Sequence, residues 1–291
     1  MTVSTYVNPF TDFGFKRLFG EEANKALLLD FLNELLPLES RIAELTFKSP
    51  EQMGDTQKDR RAVYDIYCQT ADGTYFIVEM QKAFQAYFKD RTVFYSTFPI
   101  RAQAQKGKWD YKLSMVYCVA ILAFEFENDD YQFYEEEEFP CDYLHEVQLK
   151  DQHNRIFYRK LKYIFIETPR FKKTETELLT RKDKWIYFLK NLEDFSEIPS
   201  ILSEPIFQEA FEVARVANFD SIQLDAYEES LKNYRDLHNV VTSAVDKRVK
   251  EIIIRMIKRG KATLEEIAED NDVSIELVIA IQNEIKRGFH L

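Results

Sequence analysis

The sequence predicts a mixed α/β region of about 170 residues, followed by an all-helical region of about 120 residues. Runs rich in β-branched and aromatic residues recur between residues 42 and 81, which is typical of strands. A near-continuous apolar run at residues 112–124 indicates a strand that is covered on both faces. Beyond residue 170, apolar residues recur at helical spacing. We therefore expect domains at residues 1–170 and 171–291.

The elements follow from local patterns along the chain. The predicted helices are 12–19, capped by Thr11 or Asp12, then 21–36, which Pro37 ends, 88–106, bent at Pro99, and a long amphipathic helix over 231–256 that ends at Gly260. The predicted strands are 42–48, 62–69, 74–81, 112–124, 143–150 and 156–167. Residues 263–277 predict two short helices joined by a turn, which has the spacing of a helix-turn-helix.

The formal net charge of −11 arises from one segment of the chain. Residues 125–146 contain ten acids and no Lys or Arg, so the rest of the chain is nearly neutral. The overall charge therefore does not exclude a protein that binds nucleic acid. The acidic segment is either a solvated loop or a guard over a cationic groove.

Several classes of protein are excluded by what the sequence lacks. The three cysteines show no CxxC spacing, the four histidines show no ligand spacing, and no glycine-rich phosphate loop occurs. No segment approaches the length of apolar sequence that spans a bilayer. We expect a cytoplasmic protein without disulfides, without contact to a membrane and without P-loop chemistry.

The most informative stretch is the hairpin formed by the second and third strands, because its turn decides where two acids lie. A two-residue loop at 72–73 would place Asp65 and Glu79 on opposite faces of the hairpin. A three-residue loop at 71–73, with Gly73 in the left-handed region, would place the two acids directly opposite each other. The side-chain pattern favours the three-residue loop.

In that register, the two faces of the hairpin differ in polarity. The expected core face carries Tyr64, Ile66, Cys68, Phe76, Val78 and Met80. The expected site face carries Val63, Asp65, Tyr67, Ile77, Glu79 and Gln81. Opposed residues have Cβ atoms roughly 4.5–5.5 Å apart, so Asp65 and Glu79 could share one divalent cation. The alternative from spacing alone is that both acids are solvated on the open face of a sheet.

A succession of short motifs resembles a known family. They are Asp12-x-x-Phe15-Lys16-x-x-Phe19-Gly20, Tyr64-Asp65-Ile66, Val78-Glu79-Met80-Gln81, Arg91-x-x-x-Tyr95, then Gln103, Gly107, Tyr111 and the strand Val116 to Leu122. In this order they resemble the PD-(D/E)XK nuclease family transposases, over about residues 8–125. The resemblance implies a restriction-endonuclease-like fold, with a mixed sheet flanked by helices.

The resemblance also implies a function and assigns roles to residues. It implies Mg²⁺-dependent, or Mn²⁺-dependent, hydrolysis of phosphodiester bonds in DNA, of the kind associated with transposition and recombination. Asp65 and Glu79 correspond to the metal ligands, and Gln81 stands where the broad superfamily has Lys. Asp12 is a candidate for a further acid of the site. The candidate substrate-binding residues are Lys16, Arg91 and Tyr95.

The sequence is also compatible with other functions. Because Gln can orient a water molecule but cannot accept its proton as Lys could, the chain is alternatively an inactive descendant that binds DNA or another protein. The second helix of the helix-turn-helix begins with Ile275, Glu276 and Leu277, which favours a packing role over base recognition. The apolar stripe of the long helix is either intramolecular core or the interface of a homodimer.

Overall fold

A computed structural model of the chain describes residues 4–38, 40–52, 62–104, 109–126 and 143–286. Its helices are α1 (Asp12–Phe19), α2 (Lys25–Leu35), α3 (Phe88–Ala102), α4 (Arg181–Asn191), α5 (Pro205–Ala214), α6 (Ser221–Arg259), α7 (Leu264–Asp270) and α8 (Ile275–Lys286). Its strands are β1 (Leu45–Phe47), β2 (Glu51–Gln52), β3 (Ala62–Val63), β4 (Ile66–Thr70), β5 (Tyr75–Gln81), β6 (Val116–Leu122), β7 (Leu144–Lys150) and β8 (Ile156–Glu167). Most of the acidic segment, and Gly107, lie outside the described residues.

Six strands form one mixed sheet in the order β1-β4-β5-β6-β8-β7. The central strands β5, β6 and β8 are parallel, whereas β1, β4 and β7 pair with their neighbours antiparallel. Parallel strands align their carboxyl ends, so Gln81 pairs with Leu122, which in turn pairs with Glu167. This row of residues marks the edge of the sheet that the carboxyl ends of the parallel strands form. The candidate acids lie at this edge.

Both faces of the central strands are buried, which explains the near-continuous apolar run of β6. One core joins Phe76, Val119 and Ile164 of the sheet to side chains of α1, α2, α4 and α5. The second core, on the other face, joins Ile77, Cys118 and Tyr163 to residues of α3 and neighbouring loops. The mixed sheet flanked by helices, with a helical C-terminal region, confirms the predicted fold class.

The chain forms two compact units, Met1–Tyr234 and Arg235–Leu291. The predicted division at residue 170 marks the point where strands give way to helices, and it does not coincide with this boundary. The physical reason is that α4 and α5 bury Trp185 and Phe207 in the same core as Phe31 of α2. Residues beyond 170 thus complete the core of the first unit.

In the second unit, α7 and α8 pack together with the end of α6. Ile253, Ile267, Val278 and Ile281 form its buried core. Gly260 ends α6 with a φ of 61°, and Thr263 caps α7 in a capping box with Glu266. Among the described residues, no helix has the length and apolar character needed to cross a membrane.

Candidate functional site

The hairpin of β4 and β5 has the three-residue turn that the sequence favoured. The Gly73 amide donates to the Thr70 carbonyl at 3.0 Å, the Thr70 amide donates to the Thr74 carbonyl at 3.0 Å, and Gly73 has a φ of 90°. Ile66 consequently pairs with Val78, and Gln69 pairs with Tyr75. This register brings Asp65 and Glu79 together at the carboxyl end of β5.

Asp65 lies one residue before β4, at a break between β3 and β4. Its Oδ2 accepts a hydrogen bond from the Met80 amide at 2.7 Å, which ties the carboxylate to the neighbouring strand. Burial raises the pKa of Asp65 above its ordinary value, against the Met80 hydrogen bond, which lowers it. The carboxylate is therefore held in a fixed position at a cost in desolvation.

Glu79 is the most unusual carboxylate of the site. Its Oε2 accepts a hydrogen bond from the Gln81 amide nitrogen at 3.1 Å, but its Oε1 is buried without a hydrogen-bond partner. Burial, followed by the negative charge of Asp65, raises the pKa of Glu79 to about 8. Because α3 covers this face of the sheet, Glu79 is not the solvated surface acid that spacing alone allowed.

Gln81 is buried and connects Glu79 to α3. Its amide oxygen accepts a hydrogen bond from Arg91 Nη2 at 2.6 Å, while its amide nitrogen donates to Glu79. Arg91 also donates to Gln85, and its guanidinium lies 5.5 Å from the Phe88 ring centroid and 5.8 Å from that of Tyr95. Since Arg only donates and Glu mainly accepts, these partners fix which end of the Gln81 amide faces each of them.

Asp12 and Lys16, on α1, lie close enough to Asp65 to affect its charge. They form an ion pair of 2.9 Å across one turn of α1, with about half of each side chain exposed. The charge of Asp12 raises the pKa of Asp65, and the charge of Lys16 lowers it. The structure therefore places both residues near Asp65, as a pair that already neutralises itself.

Lys82 is a further residue near Asp65, and the sequence analysis did not single it out. Its charge lowers the pKa of Asp65, and burial lowers its own pKa, against the attraction of Asp12 and Asp65. The available signal was its position directly after Gln81. Lys82 thus brings a second cation, after Lys16, close to Asp65.

The prediction for Tyr64 was wrong. Tyr64 belongs to the core under α3 and not to the opposite face, because the break at residues 64–65 interrupts the alternation of side chains. Its hydroxyl donates to the Tyr95 carbonyl at 2.9 Å, and the two rings meet edge to face at 5.5 Å. Tyr67 and Ile77 of the expected site face are likewise buried beneath α3. The expected site face is therefore polar only around Asp65, Glu79 and Gln81, at the carboxyl end of β5.

The residues present fit a divalent cation held by two carboxylates. Among the described residues, no group of three or more His, Cys, Asp or Glu side chains is arranged to hold a metal. However, Mg²⁺ is usually held by one or two carboxylates, with water and phosphate oxygens completing its shell. An unpartnered buried oxygen of Glu79 beside the carboxylate of Asp65 meets that requirement.

The fold and this site define a class. A mixed sheet with helices on both faces, and two acids on a hairpin at its edge, is the restriction-endonuclease-like α/β fold. Residues 9–244 match the family model described as PD-(D/E)XK nuclease family transposase, and the chain belongs to that family. Comparisons with curated proteins and with solved structures give no significant match. Membership indicates a function of the nuclease or transposase type.

Proposed function

We propose that the chain is a metal-dependent endonuclease that hydrolyses phosphodiester bonds in DNA, in the service of transposition or recombination. The observation that carries this proposal is the buried Oε1 of Glu79, which has no hydrogen-bond partner and lies beside a second carboxylate. Two partly buried acids that repel each other are costly unless a cation or a proton compensates them. A divalent cation offsets this cost when the site is loaded.

Asp65 and Glu79 are the proposed ligands of Mg²⁺ or Mn²⁺. When bound, such a cation polarises a phosphoryl oxygen and lowers the pKa of a bound water molecule. Asp65 contributes a carboxylate whose orientation is fixed by the Met80 amide, and Glu79 contributes one fixed by Gln81. Both ligands are thus held before the substrate arrives, which avoids an entropic cost during the reaction.

Gln81 is proposed to position Glu79 and not to take part in proton transfer. An amide has no titratable proton near neutral pH, so Gln81 cannot serve as the general base. Both ends of its amide are already bonded, to Arg91 and to Glu79. Gln81 therefore links Arg91 on α3 to Glu79, so that the position of the helix determines the orientation of this carboxylate.

Lys16, Arg91 and Tyr95 are the proposed substrate-binding residues, with Asp12 as a further acid. Lys16 is about half exposed, so its ammonium group can reach a phosphate once its ion pair with Asp12 opens. Arg91 is half-buried beside Glu79, where its positive charge favours the ionised acid. Tyr95 lies against Arg91 and holds the guanidinium from one side.

The test is cleavage of supercoiled plasmid by the full-length chain. We expect nicking with Mg²⁺ or Mn²⁺ and none with EDTA, and we expect Asp65→Asn and Glu79→Gln to abolish it. Glu209→Gln is the matched control, because Glu209 is exposed on α5. Cleavage that survives in both site variants, or that persists in EDTA, would show that the assignment is wrong.

A second candidate function is a non-catalytic module that keeps the fold. Two observations favour it: Gln81 stands where the superfamily has Lys, and no three-acid cluster occurs among the described residues. Calorimetric titration with Mg²⁺ and Mn²⁺ separates the two candidates. Binding that Glu79→Gln removes supports the nuclease, whereas no binding at millimolar concentration supports the module.

The predicted homodimer through the C-terminal helices stays a proposal. Exposed apolar side chains on α6, namely Leu237, Val240 and Val245, support it, with exposures of 39%, 67% and 55%. Light scattering across a range of protein concentrations tests it. A strict monomer at high micromolar concentration would contradict the proposal.

A further inference from the structure

The hairpin of β7 and β8 extends past the rest of the sheet. Pairing between β6 and β8 begins at Val116 and Leu161, so the residues of β8 before Leu161 have no partner on β6. On their other side, Ile156 and Tyr158 pair with Lys150 and Leu149 of β7. Residues 149–160 therefore form a two-stranded projection, which we call the ribbon.

The ribbon has a defined shape. Adjacent residues Gln148 and Leu149 pair with Lys162 and Tyr158, so β8 carries a bulge of three residues at the base of the ribbon. Bulges of this kind bend a strand and increase its twist. At the tip, Asp151 accepts hydrogen bonds from the His153 amide at 2.9 Å and from the Arg155 amide and Nε at 3.0 and 2.7 Å. Both ends of the ribbon are thus fixed by local structure.

The ribbon is strongly cationic. It carries four cations, Lys150, Arg155, Arg159 and Lys160, and one acid, Asp151. Asp151 is paired with Arg155, and Lys160 donates to the Leu113 carbonyl at 2.6 Å. Lys150 and Arg159 are exposed and have no acidic partner within the part of the chain that the structure describes. These two side chains are available for an external anion.

Apolar side chains stand beside these cations in the ribbon. Phe157 is 79% exposed, and Leu149 and Ile156 are exposed to 48% and 37%. A groove of about 760 Å³ opens at the base of the ribbon, and its lining includes Arg41 and Lys112 as well as Arg159 and Lys160, with Glu44 and Asp72 as its acids. A projection that combines cations with an exposed aromatic ring suits a polyanion that also presents apolar edges.

We propose that the ribbon is a second contact of this chain with duplex DNA, entering the major groove with Phe157 while Lys150 and Arg159 bind the flanking phosphates. The proposal rests on the proposed function, since it assumes a DNA substrate. The major groove admits a two-stranded β-ribbon, and its thymine methyl groups accept apolar contacts. A protein partner is the alternative, but exposed Lys residues are depleted in the core of protein interfaces.

The position of the ribbon sets where it would touch DNA. Tyr158 and Glu167 lie nine residues apart on β8, and Glu167 stands on the same edge of the sheet as Gln81. Three of these nine residues form the bulge, so six residues span the distance along the strand direction. At about 3.3 Å per residue, the ribbon begins roughly 20 Å from that edge. For a duplex that runs along this strand direction, we therefore expect a contact about six base pairs to one side of the cleaved bond, at about 3.4 Å per base pair.

The test measures the affinity of the full chain for a 30-base-pair duplex in EDTA, by fluorescence anisotropy across a series of salt concentrations. We expect the double variant Lys150→Gln/Arg159→Gln to bind about tenfold more weakly. We also expect its slope of log K against log salt to be less negative by about 1.8, because two phosphate contacts are lost. We expect Phe157→Ser to weaken binding several-fold with an unchanged slope. The control is Lys172→Gln/Lys232→Gln, which removes two exposed cations elsewhere.

Outcomes that overturn the proposal are distinct from failure of the nuclease. Ribbon and control variants with equal affinity and equal slope would exclude the ribbon as a DNA contact, even if the plasmid is cut. If Lys150→Gln/Arg159→Gln loses affinity for DNA but Phe157→Ser binds like wild type, entry of Phe157 into the major groove is excluded. Because binding is measured without metal, absence of plasmid cleavage would reject the proposed function without changing this readout. Matching melting temperatures confirm that the exposed substitutions leave the fold intact.

Discussion

Arg91 Nη2 lies 2.6 Å from Gln81 Oε1, and this hydrogen bond turns the Gln81 amide so that its nitrogen donates to Glu79. A helix on one face of the sheet thereby controls the position of a carboxylate on a strand. Loss of such supporting contacts commonly lowers metal affinity or activity by about 10- to 100-fold.

We therefore expect Arg91→Met to lower the rate of metal-dependent cleavage by about 10- to 100-fold, because Gln81 can then rotate away from Glu79. Arg91→Lys retains the charge but loses the planar fork, and we expect an intermediate rate. The measurement is the cleavage rate at saturating DNA, with Lys182→Met as the control on α4. Equal rates for Arg91→Met and the control would contradict a positioning role.

Lys82 leads to a prediction about pH. Its positive charge lowers the pKa of Asp65, so Lys82→Met should raise that pKa and leave less of the acid ionised at a given pH. We expect the acidic limb of the pH profile of cleavage to move to higher pH. Lys16→Met should move it in the same direction, because Lys16 also lowers the pKa of Asp65. Lys89→Met is the control, and an unchanged limb in Lys82→Met would contradict the assignment.

The sequence could predict the register of the hairpin because turn chemistry and alternation point to the same answer. Gly73 needs a positive φ, and only the three-residue loop places apolar residues of both strands on a common face. Pairing between strands follows from such local rules. The positions of Asp65 and Glu79 were therefore within reach of sequence analysis.

Contacts between distant parts of the chain were not within reach. The cover of α3 over Glu79, the turn of Tyr64 to that side, and the approach of Lys82 to Asp12 all depend on how helices pack on the sheet. The boundary after Tyr234 depends likewise on α4 and α5 completing the first core. Periodicity states which face of an element is apolar but not which element covers it.

The turn at Gly73 gives a test of stability. With a φ of 90°, this residue adopts a backbone conformation that L side chains rarely take, and a Cβ atom would also lie 3.1 Å from Ser114 Oγ. We expect Gly73→Ala to lower the free energy of unfolding by about 1–2 kcal/mol, and Gly73→Asn to lower it less, since Asn tolerates this region better. Urea denaturation measures both. Equal stability of Gly73→Ala and wild type would show that the turn relaxes to another form.

The raised pKa of Glu79 leads to a prediction of how the stability of the metal-free protein depends on pH. The pKa of this acid rises from 4.5 to about 8 on folding, so the folded state holds one more proton than the unfolded state between those values. The free energy of unfolding must then fall as pH rises through that window. The stabilising contribution is complete below pH 4.5, and it is lost as pH rises through about 8.

Glu79→Gln removes this titration, so its stability in EDTA should decline less than that of wild type between pH 5 and pH 8. Urea denaturation at several pH values measures the difference, and Glu209→Gln should retain the slope of wild type. A bound divalent cation favours the ionised acid, so saturating Mg²⁺ should flatten the wild-type slope but leave the variant unchanged. If wild type and Glu79→Gln show the same slope in EDTA, Glu79 does not hold its proton in the folded state.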